Sequence, residues 1–211
     1  MKENIMFASV LILGMVWGMS GAVPDLLSDS SLPVLILSAL VFQVGINLGM
    51  GDVLSDIRKS FNLKIVLIPF ATIVGTLAFT SLGALIFQQY GLTDILAIGS
   101  GFGYYSLSSV MIADIKSQSD GVETATILAT VSLLTNVCRE LIAIFGCRSI
   151  AKGLNGYSAI SVAGINSMDV CLPMIQEASK NKGLMTVGII HGIALEVSVP
   201  ILVSLFCGAF S

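Results

Sequence analysis

The sequence predicts an all-α polytopic membrane protein, a transporter-like helix bundle, and three observations predict it. Charged residues make up only 11% of the 211, less than half the roughly 25% of a soluble domain. Hydrophobic residues make up 55%. They gather into seven runs, each long enough for the about 20 helical residues that a bilayer core of about 30 Å requires. The connections between runs are short and polar, such as DLLSDSS at 25–31 and GDVLSDIRKS at 51–60. They leave no room for a soluble domain, so residues 1–211 read as one transmembrane transporter domain. Open strands are excluded, because unpaired backbone groups are not tolerated in lipid.

The first run, 5–23, resembles a signal peptide in having Lys2 before it and SGA at 20–22 within it. It reads instead as a retained helix. The run is long for a signal h-region, Glu3 spoils a basic n-region, and GMVWG at 14–18 offers small residues for helix packing. The second and third runs cover 32–50 and 62–87. The fourth, 92–115, contains SGFGYYSLSS at 100–109, whose glycines and hydroxyls interrupt an otherwise apolar helix. The fifth covers 122–147. The sixth, 156–178, carries Pro173 shortly after Asp169 and also reads as broken near mid-membrane. The seventh covers 184–209.

Lysine and arginine placement sets the orientation. The first loop holds Asp25 and Asp29 and no basic residue, whereas the next holds Arg58 and Lys59, followed by Lys64. The N-terminus is therefore expected in the cytoplasm and the C-terminus outside. If all seven runs cross, Arg148 and Lys152 lie outside and Lys116 inside. If the fourth and sixth are re-entrant, these three change sides. The charge counts favour neither arrangement decisively, and both leave the chain ends where they are.

Ionisable groups at membrane depth cost about 2.5 to 3.5 kcal/mol each on insertion scales, and here they concentrate in the C-terminal half. The fifth run holds Asn136, Arg139 and Glu140, the sixth Asn166 and Asp169, and the seventh His191 and Glu196. Asn136 and Glu140 are four apart and share a helix face, whereas Arg139 and Glu140 diverge by about 100 degrees. Two readings remain open. Arg139, Glu140 and Asp169 form a structural ion-pair network, or Glu140 and Asp169 line a polar path that binds a cation or carries protons. His191 serves either that path or an interhelical hydrogen bond. Tyr104, Tyr105 and Ser106 sit beside the fourth-run break, where a tyrosine face can hold an ammonium group. Secondary transporters use such half-helix ends and freed carbonyls for substrate and ions, although Gly99 and Gly103 also suit close helix packing.

Cys138, Cys147, Cys171 and Cys207 form no CxxC pair and read as packing residues. No metal-ligand cluster, P-loop or nucleophile elbow is present in the sequence. No enzyme, cofactor or nucleic-acid partner is expected.

SGFGYYSLSS at 100–109, RELIAI at 139–144, SMDVCLPMIQ at 167–176 and HGIALEVSVPILVSLF at 191–206 resemble, in order and spacing, the lysine exporter family of the LysO type. FQVGINLGMG at 42–51 is similar to the glycine-rich end of an earlier family helix. The resemblance implies export of L-lysine, and of toxic analogues such as thialysine, across the bacterial cytoplasmic (inner) membrane. It places the family's important intramembrane acids on Glu140 and Asp169. A carboxylate that holds either a lysine ammonium or a proton would couple lysine leaving to protons entering, with sodium as the other candidate ion. The role of Glu196 rests on depth alone. Longer family members carry a further N-terminal membrane segment, read here as absent. This implies a small membrane subunit supplying the missing helices, or a homo-oligomer. The competing functions are transport of another small solute or ion, and a non-transporting membrane subunit.

Overall fold

The computed structural model describes residues 63–181 and 183–208, together with positions 9, 13, 14, 16–20, 35, 39, 42 and 46. The segments read at 5–23 and 32–50, and the loop at 51–60, lie mostly outside the described residues. Among the described residues the order is α1 (Leu63–Ser81), a 3-10 turn (Leu82–Leu85), α2 (Leu92–Gly99) and α3 (Tyr105–Ser119). These are followed by α4 (Val122–Gly153), α5 (Gly156–Ala163), a 3-10 turn (Gly164–Met168), α6 (Leu172–Ser179) and α7 (Leu184–Gly208). No strand occurs among them. Three stretches, Ile65–Leu85, Val122–Gly153 and Leu184–Gly208, are long and apolar enough to cross a membrane.

The fourth and sixth runs are broken where glycines and Pro173 predict. Each folds back as a hairpin. In the first hairpin, Lys116 in the last turn of α3 meets Asp94 in the first turn of α2, with Nζ 2.7 Å from Oδ1. The two half-helices therefore begin and end at the same end of the bundle. In the second, Gly156 opens α5 against Leu184 and Ser179. A methyl group at Gly156 would collide with the Leu184 side chain and stand 3.3 Å from Ser179 Cβ, so α6 also returns to where α5 began. Pro173 sits in the first turn of α6, where its missing N–H costs no helical bond.

α4 leaves the open end of the first hairpin and finishes at the open end of the second, so the hairpins enter from opposite ends. Their tips touch: the Phe102 carbonyl accepts a hydrogen bond from the Ile165 N–H at 3.2 Å. Gly164 permits the approach with φ +62, and any side chain there would strike the Phe102 carbonyl.

Two apolar cores lie on either side of this crossing. One joins Ala97, Leu107, Met111 and Ile112 of the first hairpin to Leu128 of α4 and Leu195, Val199 and Val203 of α7. The other joins Ala159, Ile160, Ala163 and Ile175 of the second hairpin to Ala143 and Cys147 of α4 and Leu184 and Val187 of α7. Between the cores α4 presents Ser132, Asn136, Arg139 and Glu140, and the second break presents Asn166 to Asp169. The hydrophobic effect thus fixes the two ends of the bundle and leaves a polar layer across its middle.

Candidate functional site

Asn136 holds the first break. It is 2% exposed, its Oδ1 accepts from the Gly103 N–H at 2.9 Å, and its Nδ2 donates to the Ile98 carbonyl at 3.2 Å and the Ser132 carbonyl at 2.9 Å. The Gly103 N–H and the Ile98 carbonyl are groups that a continuous helix would have satisfied, so one amide replaces the lost helical bonds. Gly101 has to lack a side chain, because a methyl group would collide with the Asn136 amide. Ser108, bonded at 3.2 Å to Ser132, extends the clamp.

His191 pins the second break. It is fully buried, with Nδ1 3.0 Å from Ser167 Oγ and Nε2 3.0 Å from Thr72 Oγ1. Ser167 donates its own proton to the Gly188 carbonyl, so Nδ1–H is the donor to Ser167, while Thr72 Oγ1, which also reaches the Ile68 carbonyl and Ser161 Oγ, stands at the Nε2 side of the ring. Both nitrogens are engaged, which agrees with the interhelical hydrogen-bonding alternative. Gly188 and Gly192 let α7 close on this break, since methyl groups there would reach the Ser167 carbonyl at 2.7 Å and the Ile165 carbonyl at 2.9 Å.

The three acids have a different setting. Glu140 and Glu196 are half-buried and Asp169 is exposed. Asp169 lies within the electrostatic field of both glutamates. Tyr105 lies within that of Glu140, and Tyr104 within that of Glu196. Ser106, also half-buried, opens α3 beside them. Asp169 Oδ1 accepts the Val170 N–H. Pro200 lies inside α7 and has no N–H to offer the Glu196 carbonyl. Asn166 is 7% exposed, and its Nδ2 has no partner.

The ion pairs among the described residues join Lys116 to Asp94 and Asp120, and Arg148 to Glu177. Arg139, Glu140, Asp169 and Glu196 belong to none, so the structural ion-pair network among Arg139, Glu140 and Asp169 does not form. The physical reason is the divergence of neighbouring α4 positions. Arg139 turns toward α1 and α5, over the Phe102 ring with 5.8 Å to its centroid, while Glu140 turns toward Tyr105 and Asp169. All four cysteines are free.

The structure thus gathers Glu140, Asp169, Glu196, Tyr104 and Tyr105 around one another. It engages Asn136 and His191 in scaffolding bonds and sets Arg139 apart. Sequence reasoning missed Thr72, Ser132 and Ser167, the hydroxyls that serve these two residues. It also missed Asp94, although opposite charges flanking an interrupted run were a visible signal.

The family model described as Lysine exporter LysO matches residues 8–207. The chain is 28% identical over 206 residues to the lysine exporter LysO of Escherichia coli, covering 97% of this chain and 64% of that protein. It therefore spans less than two thirds of that relative's length. It is also 28% identical over 177 residues to a Haemophilus influenzae protein provisionally named a lysine exporter, covering 81% of this chain and 82% of the relative. No solved structure matches the chain. By the family match over nearly its whole length, the chain belongs to the lysine exporter LysO family.

Proposed function

We propose that this chain exports L-lysine, and toxic analogues such as thialysine, across the bacterial cytoplasmic membrane in exchange for protons. One observation carries the reading. Asp169 lies within the influence of both Glu140 and Glu196 beside two crossed helix breaks, and no described cation pairs with any of the three. Negative charge held at membrane depth without a partner marks a cation path, and a dibasic amino acid is the cargo that the relatives' names support. Glu140 and Asp169 exchange a lysine ammonium for a proton. Tyr104 and Tyr105 offer ring faces to the ammonium, and Asn166 offers an unspent amide. Glu196 adds charge at the α7 wall.

The hairpin geometry also supports an orientation. With both hairpins re-entrant, Lys2, Arg58, Lys59, Lys64, Arg148, Lys152, Lys180 and Lys182 share the cytoplasmic side, and Lys116 alone is outside. That single outer lysine is matched by two aspartates. The N-terminus is then cytoplasmic and the C-terminus external.

The test is efflux of labelled lysine from a lysine-sensitive host expressing Glu140→Gln or Asp169→Asn, with membrane insertion verified. Efflux is expected to fall at least about tenfold in each, the loss of one charge-assisted contact. Unchanged efflux in both variants would remove the acids from the mechanism.

A further inference from the structure

Among the described residues Arg139 is the one basic group in the middle layer, and its surroundings differ from those of the acids. Its guanidinium faces a groove of about 600 Å³ between α1 and α5, lined by Thr72, Thr76, Thr80, Phe79 and Ser161. A second cleft of about 470 Å³, past Leu134, Thr135 and Cys138, opens on its other side. Two hydrogen bonds hold it: Nη1 to Thr76 Oγ1 and Nη2 to the Ser161 carbonyl, both at 3.4 Å. Those distances lie beyond the 2.7 to 3.2 Å usual for N–H···O bonds, and they occupy two of five donors. No carboxylate among the described residues pairs with it.

A guanidinium at membrane depth is costly unless an anion meets it, and in this mostly apolar groove Thr76 stands beside it as a second donor. Thr72, Thr76 and Thr80 recur every fourth residue and so share one face of α1. Thr72 is occupied by His191 and Ser161, and Thr80 packs against Gly99. Thr76 accepts from Arg139 and keeps its own O–H to give. Capping of α5 through the Ser161 carbonyl explains one donor but leaves the remaining guanidinium N–H groups unexplained.

We propose that this groove is a small-anion subsite, in which a carboxylate-class anion is held by the free Arg139 N–H groups and the Thr76 hydroxyl. The same chemistry fits the α-carboxylate of a transported amino acid or a free anion such as chloride. The first source rests on the export reading above, and the second stands without it.

The test uses the purified full chain in lipid nanodiscs. Its thermal midpoint is followed against acetate and chloride at ionic strength fixed with the sodium salt of HEPES, a bulky sulfonate, and against lysine and its decarboxylated counterpart cadaverine. Acetate is expected to raise the midpoint of the parent protein. Arg139→Gln is expected to weaken apparent acetate affinity about tenfold or more, and Thr76→Val to weaken it by a smaller factor with the charge intact. A substrate source shows as lysine stabilising more than cadaverine, with acetate competing against lysine. A free-anion source shows as stabilisation by chloride, with lysine and cadaverine alike. An anion effect with no response to either amine supports the groove and counts against lysine export. No midpoint shift with acetate, chloride or lysine, or shifts that Arg139→Gln and Thr76→Val both leave unchanged, would overturn the proposal.

Discussion

The two hairpins share a plan and differ in how their polar groups are used. In the first, the break is tied to α4 by the Asn136 amide, and the open end is closed by Lys116 between Asp94 and Asp120. At its turn the Gly103 N–H and the Ile98, Gly101 and Phe102 carbonyls are met by protein. In the second, His191 and Ser167 hold the approach, but Asn166 Nδ2 and the Asp169 carboxylate remain without a side-chain partner. A unit whose charges are paired is suited to hold a position, and one with charge left unmatched is suited to bind. On the proposed export reading the first hairpin is mainly scaffold, lending Tyr104 and Tyr105 to the path, and the second carries the unmatched Asp169.

The largest effect expected from breaking this contrast is at Asn136. Asn136→Leu strands the buried Gly103 N–H and Ile98 carbonyl, at about 1 to 3 kcal/mol each, and should lower the thermal midpoint sharply. Asp169→Asn, read in the same melt, should leave stability within about 0.5 kcal/mol, as for a substitution away from a packed feature. Equal losses would erase the distinction between the hairpins. Next comes Lys116→Met, which leaves Asp94 with a side chain only 13% exposed and no cation. A loss of about 3 kcal/mol is expected, largely recovered in the double variant with Asp94→Asn, and a double-mutant cycle on thermal stability measures the recovery.

The smallest effect concerns Asp120. The hydrogen bond from Lys116 holds its carboxyl below the usual carboxylate range. Its contribution is therefore complete above the ordinary carboxylate pKa and is lost as pH falls through the lowered value. Asp120→Asn should cost less than about 1 kcal/mol near neutral pH, and the difference from the parent should vanish in acid. A pH series of melts checks both points.

The breaks themselves were legible, because glycine and proline change backbone physics locally and leave a mark in any sequence. So was the separation of Arg139 from Glu140, which follows from helical geometry alone. Whether residues 92–115 and 156–178 crossed or turned back was not legible, since each is long enough to span and both topologies suit the charge pattern. The deciding contacts, Lys116 to Asp94 and Gly156 to Ser179, join residues more than twenty positions apart. Asn136 was visible as a polar group at depth, yet its partners are backbone atoms of another segment, which no side-chain pattern displays. Arg139 stood out by charge, while the groove around it depends on how α1 packs.

In the proposed mechanism one carboxylate site holds a lysine ammonium or a proton, never both. Adding L-lysine to the purified protein in weakly buffered solution and following pH with an indicator tests this directly. Proton release on lysine addition is predicted, reduced in Glu140→Gln and Asp169→Asn. Saturating lysine binding with no proton release at any pH from 5 to 8, the range where such a site must titrate to work, would contradict it.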